Sequence, residues 1–110
     1  MFGVRSAVLR NLMTEPQFDP GAELDYAEAF ARYLTASRSL ADDFERGVNR
    51  IVGLIYRSPA MFPRCDERHR CVDLRRYPYR TIFRDDRSES FVVAIAHQWR
   101  DPDYWTQGRG

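Results

Sequence analysis

The chain has 110 residues, of which 44% are hydrophobic and 30% charged, which suits one globular domain with a modest core and is too little for two. Its formal net charge is +1, so the charge of the whole chain indicates no particular class of partner. The longest apolar run, Phe91 to Ala96, is far shorter than the about 20 residues that a membrane-spanning helix requires.

The start of the chain carries no clear structural pattern. We treat residues 1–12 as an N-terminal extension of uncertain structure ahead of a single domain at 13–110, with Met13 as an alternative start. The extension lacks the apolar stretch and the small-residue cleavage site of a secretory signal. We therefore expect a cytoplasmic protein that does not associate with membranes.

The first predicted element is an amphipathic helix from about Gly21 to Ala36. Asp19 supplies a side-chain N-cap, and Pro20 suits the first helical position. Glu23 and Asp25 then favour the positive end of the helix dipole. Apolar residues recur through this stretch at helical spacing, which is the main evidence for the helix.

A second amphipathic helix follows after a short polar break. Ser39, with Asp42 three residues later, approximates a capping box at its start. The helix should end near Arg57, because Pro59 disfavours helical geometry at the residue before it. A break this short between two helices predicts an antiparallel helical hairpin.

A basic segment follows the second helix. All 17 basic residues of the chain are arginines, and eight of them lie between Arg57 and Arg84 against three acidic residues. Such a segment forms a local surface that attracts phosphates or carboxylates. Because the chain has no lysine, no mechanism here can use a lysine as acid, base or Schiff-base partner.

The two cysteines, Cys65 and Cys71, lie in this segment with His69 between them. In a cytoplasmic domain such cysteines are usually thiols. A zinc site would need further ligands at close spacing, and the other histidine, His97, lies far downstream. We expect two thiols, no metal and no other cofactor.

The second half of the chain predicts a sheet. Cys71–Arg75 forms one short strand, Tyr79–Arg84 a second, and Phe91–Ala96 a third, with a turn at 85–88. The third strand is apolar on both faces, so it should be central or covered on both sides. The aromatic stretch from Gln98 to Trp105 is too short to fold alone and should pack across the sheet.

This order of elements, with its aromatic tail, resembles the RelE/ParE family of bacterial type II toxin–antitoxin toxins. Three blocks carry the resemblance: Phe18-Asp19-Pro20 at the first helix, Arg75 to Arg84 in the sheet, and Ala94 to Trp105 at the end. The closing block is the most specific, since an aromatic-Pro-Tyr-Arg hairpin is followed by His-x-x-Arg-x-Pro-x-x-Trp. The two helices alone would mean little.

The resemblance implies an α+β fold with an N-terminal helical hairpin packed on a small twisted antiparallel sheet. It also implies an initial edge strand near Glu15 to Phe18. The partner that it implies is a cognate antitoxin, encoded alongside and tightly bound, so that the toxin would occur in a hetero-oligomer.

Two activities are open to such a toxin. RelE-type members cut messenger RNA in the ribosomal A site, whereas ParE-type members inhibit DNA gyrase without catalysis. The RelE-type reaction needs a base, an acid and cations around a phosphate, largely lysines and arginines in that branch, and this chain has no lysine. We favour gyrase inhibition, and a degenerate relative that only binds its antitoxin is a third possibility. No residue is firmly catalytic; for a nuclease, the candidates are Arg80, His97, Arg100 and Tyr104.

Six residues are predicted to bind the antitoxin or the target: Arg75, Arg76, Arg80, Arg84, Trp99 and Arg100. Several of the candidate residues have a simpler interpretation. Arg80 and Arg84 alternate with Thr81 and Phe83 and suit the solvated face of a half-buried strand. His97 more often donates a structural hydrogen bond than catalyses. The aromatic residues of the tail, which are Trp99, Tyr104 and Trp105, are typical of core or tail packing.

Overall fold

A computed structural model describes residues 17–86, 89–106 and 108–109. The predictions for residues 1–12, for Met13 as a start, for the first part of the edge strand and for the tip of the turn at 87–88 lie outside the described residues. The described elements, in chain order, are β1 (Gln17–Phe18), α1 (Pro20–Ala36), α2 (Arg38–Arg57), a 3-10 turn (Pro59–Met61), β2 (Arg70–Asp73), β3 (Tyr79–Asp86) and β4 (Glu89–His97).

Each helix begins at a side-chain cap. The Asp19 carboxylate accepts a hydrogen bond from the Gly21 N–H at 2.7 Å, which confirms the predicted start of α1. The cap of α2 is Ser37 and not Ser39, so the predicted capping box is wrong: the Ser37 hydroxyl accepts from the Leu40 N–H at 3.2 Å. Ser37 has extended backbone, and this single residue suffices to separate the two helices.

The two helices form the predicted hairpin. The Phe44 ring of α2 lies 5.7 Å from the Tyr26 ring and 5.2 Å from the Tyr33 ring of α1, measured between centroids. Phe44 is completely buried, and aromatic contacts at these distances stabilise the pair of helices beyond the apolar area that they bury. Within the described part of the chain, no helix is long and apolar enough to cross a membrane.

The sheet has four strands in the order β1-β4-β3-β2. The three strands of the second half pair antiparallel with one another, as predicted. The short strand β1 joins at the edge and runs parallel to β4, pairing Phe18 with Val92, so the complete sheet is mixed. β4 therefore lies between two strands, which explains why its sequence is apolar on both faces.

A bulge in β4 places two consecutive side chains on the same face of the sheet. Ile82 pairs with Ala94, and Phe83 pairs with Val92, so Val93 is an extra residue between the two pairs. Phe83 and Val92 pack against the helices. Val93 and Ala94 both lie on the opposite face, in a second cluster of buried residues: Cys71, Ile82, Val93, Ala94 and Trp105. The tail thus covers the face that the helices leave open, as predicted.

Cys65 and Cys71 form a disulfide, and the prediction of two thiols is wrong. The loop before β2 brings them together: the Cys65 N–H donates to the His69 carbonyl at 2.9 Å, and the Cys71 N–H donates to the Pro63 carbonyl at 3.1 Å. These bonds place the two Cα atoms 5.8 Å apart, within the range that a disulfide spans. The preference of cytoplasmic proteins for thiols says nothing about such local geometry.

Candidate functional site

The segment after β4, residues 98–106 and 108–109, is called the tail and carries three of the eight predicted site residues. It turns away from the sheet at once, because the Arg100 N–H donates to the His97 carbonyl at 3.1 Å. A second turn follows at Asp101, whose carboxylate accepts from the Asp103 N–H at 2.9 Å, as expected of an Asp-Pro pair. The tail then runs back over the sheet to Trp105.

A buried carboxylate, Asp25 of α1, holds the tail in place. One oxygen of Asp25 accepts from the Ile95 N–H at 3.1 Å, from the Tyr104 hydroxyl at 3.0 Å and from the Arg109 guanidinium at 2.7 Å. Its side chain is only 3% exposed. A buried carboxylate needs such partners, so α1, β4 and the tail are joined at one point.

The sequence predicted only that Asp25 favours the helix dipole. Its position in the helix could have shown that the carboxylate is buried. It follows Ala22 by three residues and precedes Ala29 by four, which places it on the inward, apolar stripe of α1. A carboxylate in such a stripe must find a donor. Its main partner, Arg109, lies 84 residues away and could not be identified from local spacing.

The Tyr104 hydroxyl is engaged by its hydrogen bond to Asp25. Burial, and then the charge of Asp25 beside it, raise the pKa of Tyr104 above its ordinary value, so its hydroxyl stays protonated and donates to Asp25. The Arg100 guanidinium lies 3.7 Å from the centre of the Tyr104 ring, and that of Arg109 lies 5.0 Å from it. This environment is the opposite of what a tyrosine base would need.

His97 lies at the end of β4, where the tail begins. Its Nδ1 accepts a hydrogen bond from the Trp99 N–H at 3.1 Å, so in the neutral ring the proton is on Nε2. The imidazole lies edge-on to the Tyr79 ring, with 5.0 Å between centroids. His97 thus helps to hold the first turn of the tail, but as an acceptor where the sequence predicted a donor.

The two tryptophans have opposite environments. Trp105 is 8% exposed and packs edge-on against the His69 ring at 4.8 Å, as its packing interpretation predicted. Trp99 is 84% exposed, so the same interpretation is wrong for Trp99. An exposed tryptophan whose backbone is held by His97 is a typical anchor for a macromolecular partner.

Two grooves meet at the exposed turn of the tail, and His97 and Arg100 line both. One, of about 400 Å³, lies against α1 and includes Arg32 and Trp99. The other, of about 550 Å³, lies on the far face of the sheet and includes Arg80. Three of the four nuclease candidates therefore line one groove. Tyr104 is not among the residues that line it.

The four arginines predicted to form one cationic surface are divided by the fold. Arg75 and Arg76 lie beside α2, where Arg76 pairs with Asp43 at 2.9 Å. Arg80 is on the face of the sheet away from the helices, where its Nε donates to Asp73 at 2.7 Å. Arg84 lies over the Phe91 ring at 5.0 Å. The arginines therefore form two pairs: Arg75 and Arg76 lie in the bend before β3, whereas Arg80 and Arg84, four residues apart on β3, lie on the same face of the sheet.

Comparisons with known proteins decide the fold. No family model matches the chain, and no curated protein matches it. A solved structure of the "Chromosomal ParDE TA system from P. aeruginosa" aligns with 77% of this chain and 96% of its own, at a TM-score of 0.67 and 18% sequence identity. The chain has the ParE-like fold. The α+β architecture that the resemblance implied is thereby confirmed.

Within the ParE-like fold, each of the four nuclease candidates is engaged by a neighbouring group. Among the nuclease candidates, Arg80 pairs with Asp73, whose hydrogen bond raises the pKa of Arg80, and Tyr104 donates to Asp25. Of the other two candidates, Arg100 lies over the Tyr104 ring, and the Nδ1 of His97 already accepts from the Trp99 N–H. Among the described residues, no three His, Cys, Asp or Glu side chains are grouped as metal ligands would be.

Proposed function

We propose that this chain is the toxin of a type II toxin–antitoxin module, acting in the cytoplasm by inhibiting DNA gyrase without catalysis. A cognate antitoxin binds it and silences it. The fold supports the toxin role, because a structure of a ParDE system shares it. A toxin that only grips its target needs an exposed, rigid anchor and no proton-transfer groups.

One observation carries the gyrase proposal: Trp99 is 84% exposed at a turn that is fixed from both sides. The His97 ring holds its N–H, and Arg100 beside it lies over the Tyr104 ring. A large aromatic group whose backbone is already ordered binds a partner with little further loss of entropy. Neighbouring Trp and Arg side chains are the residue types enriched at the centre of protein interfaces.

The test is a gyrase supercoiling assay with the purified chain. Removing an interface tryptophan typically weakens binding by about 30-fold, so Trp99→Ala should raise the half-inhibitory concentration by about that factor. Met61→Ala is the matched control, since Met61 is 63% exposed and apolar but lies on the 3-10 turn, away from the tail. The proposal fails if the wild-type chain leaves supercoiling unchanged, or if both variants inhibit as the wild type does.

A second candidate is a ribosome-dependent messenger RNA endoribonuclease. The observation in its favour is that Arg80, His97 and Arg100 line one groove, so that two guanidiniums lie near one imidazole. Mapping transcript ends after induction tests it: cleavage within translated regions that is lost in His97→Ala or Arg80→Ala would establish the nuclease. Growth unaffected by unopposed expression would instead indicate a relative that only binds its antitoxin.

A further inference from the structure

A cationic surface lies between α2 and the bend that follows β2, on the opposite side of the fold from Arg80. It is a groove of about 220 Å³, called here the α2 groove. Arg46 and Arg50 of α2 form one wall, and Arg75 and Arg76 the other. Between them lies an apolar floor of Gly47, Ile51 and Leu74, and all four arginines are exposed.

The charges of the α2 groove are far from balanced. Asp43 is the one acidic residue among its lining residues, and it accepts from Arg76 at 2.9 Å and from Arg46 at 3.4 Å. It also accepts from the Tyr77 hydroxyl at 2.6 Å. Arg50 and Arg75 have no hydrogen-bond or ion-pair partner among the described residues. Four guanidiniums therefore share one carboxylate, and two of them are available to a ligand.

Shape and chemistry restrict the ligand. Guanidinium groups bind carboxylates and phosphates in planar, bidentate pairs, and the apolar floor accepts one aliphatic side chain. A nucleic acid would also need an aromatic face on which a base can stack. The one aromatic residue of the groove, Tyr77, is engaged: Tyr33 and Phe44 contact its ring edge-on at 4.9 and 5.5 Å. These features favour a peptide over a nucleic acid.

We propose that the α2 groove binds an acidic segment of the antitoxin, with one aliphatic residue on the apolar floor and carboxylates on Arg50 and Arg75. The inference rests on the proposed function for the identity of the partner, and it adds Arg46 and Arg50 to the binding residues predicted from the sequence. Arg46 keeps its ion pair with Asp43 and adds to the positive electrostatic potential of the groove. Trp99 and the tail face the target, so the two partners use separate surfaces.

The test uses a short fluorescent peptide of glutamates with one central leucine, followed by fluorescence anisotropy. Two further peptides are controls, one with Gln for every Glu and one with Ser for the Leu. The protein variant is Arg50→Gln/Arg75→Gln, and its matched control is Arg38→Gln, an exposed arginine of the same helix that pairs with Asp42. Circular dichroism of each variant checks that the fold is kept.

The acidic peptide should bind the wild type and Arg38→Gln equally, and the double variant about tenfold more weakly, as expected for two exposed charge pairs. Both control peptides should bind more weakly than the acidic peptide, and its association rate should fall as salt rises. Equal binding of the Glu and Gln peptides, or an unaffected double variant, overturns the proposal. So does a single-stranded RNA that binds the groove more tightly than the peptide does.

Growth arrest separates this inference from the function on which it rests. The double variant should stay toxic when expressed alone, because the groove does not contact the target. If the wild-type chain is not toxic, the proposed function fails while the peptide result stands. If the wild-type chain is toxic and the peptide does not bind, the inference about the groove fails alone.

Discussion

Neutralising Asp25 should remove the attachment between α1, β4 and the tail. Asp25→Asn keeps the shape of the side chain but leaves the Arg109 guanidinium, whose side chain is 14% exposed, without its counter-charge. Breaking a buried ion pair by removing one partner costs about 3 kcal/mol or more. An asparagine amide that points at Arg109 also places one donor against another. We expect the free energy of unfolding to fall by about 3 kcal/mol.

Urea denaturation followed by circular dichroism measures this loss. With a slope of about 1.5 kcal/mol per molar urea, the midpoint of Asp25→Asn should lie about 2 M lower than that of the wild type. Arg109→Gln should cost less, because Asp25 keeps the Ile95 N–H and the Tyr104 hydroxyl as donors. The double variant should lose less than the sum of the two single losses, since the groups interact directly.

An exposed ion pair provides the control. Arg80 and Asp73 pair at 2.7 Å, but their side chains are 50% and 54% exposed, so Asp73→Asn should change stability by about 0.5 kcal/mol or less. If Asp25→Asn unfolds at the same urea concentration as Asp73→Asn, the carboxylate does not hold the tail. Additive losses in the cycle with Arg109 would show that the two groups do not interact, which would also refute the reasoning.

Three further predictions concern the covalent bond, the hydrogen bonds and the core. Cys65→Ser, or a reductant added to the wild type, should lower the free energy of unfolding by about 2 kcal/mol. If a reductant leaves the stability of the wild type unchanged, the disulfide is not present. Burial and the hydrogen bond to Asp43 raise the pKa of Tyr77 from 10.0 to about 12. Its stabilisation is therefore complete below pH 10 and lost as the pH rises to about 12, so urea midpoints across that range should fall less in Tyr77→Phe than in the wild type. Phe44→Ala should cost about 4 kcal/mol in urea denaturation, while Leu24→Ala, at an exposed site, should cost little.

The helices could be predicted closely because local rules determine them. Asp19 and Pro20 begin α1 where the capping and proline preferences place its start, and Pro59 follows the end of α2. The exact break between the helices could not be located. Ser37 and Ser39 are the same residue type two positions apart, and the capping preference alone does not distinguish them; in the structure, Ser37 caps α2.

Local sequence patterns did not predict the contacts between distant parts of the chain. The pairing of β1 with β4 joins Gln17 to Phe91, and nothing in a strand of two residues specifies its partner or direction. The disulfide depends on a loop closed by backbone hydrogen bonds, which no composition rule detects. In the candidate site, the sequence predicted that the tail packs across the sheet, and the burial of Trp105 confirms it. The separation of Arg75 and Arg76 from Arg80 and Arg84 depends on the bend between β2 and β3, whose course local spacing does not specify.

The contrast between Trp99 and Trp105 makes the protein its own optical reporter. With only two tryptophans in the chain, a Trp105→Phe variant would emit at long wavelength from the solvated indole alone and be readily quenched by iodide. A Trp99→Phe variant would emit at shorter wavelength from the indole that covers the sheet next to the disulfide. Docking of the proposed target and loosening of the tail can thus be followed separately by fluorescence, without any attached dye.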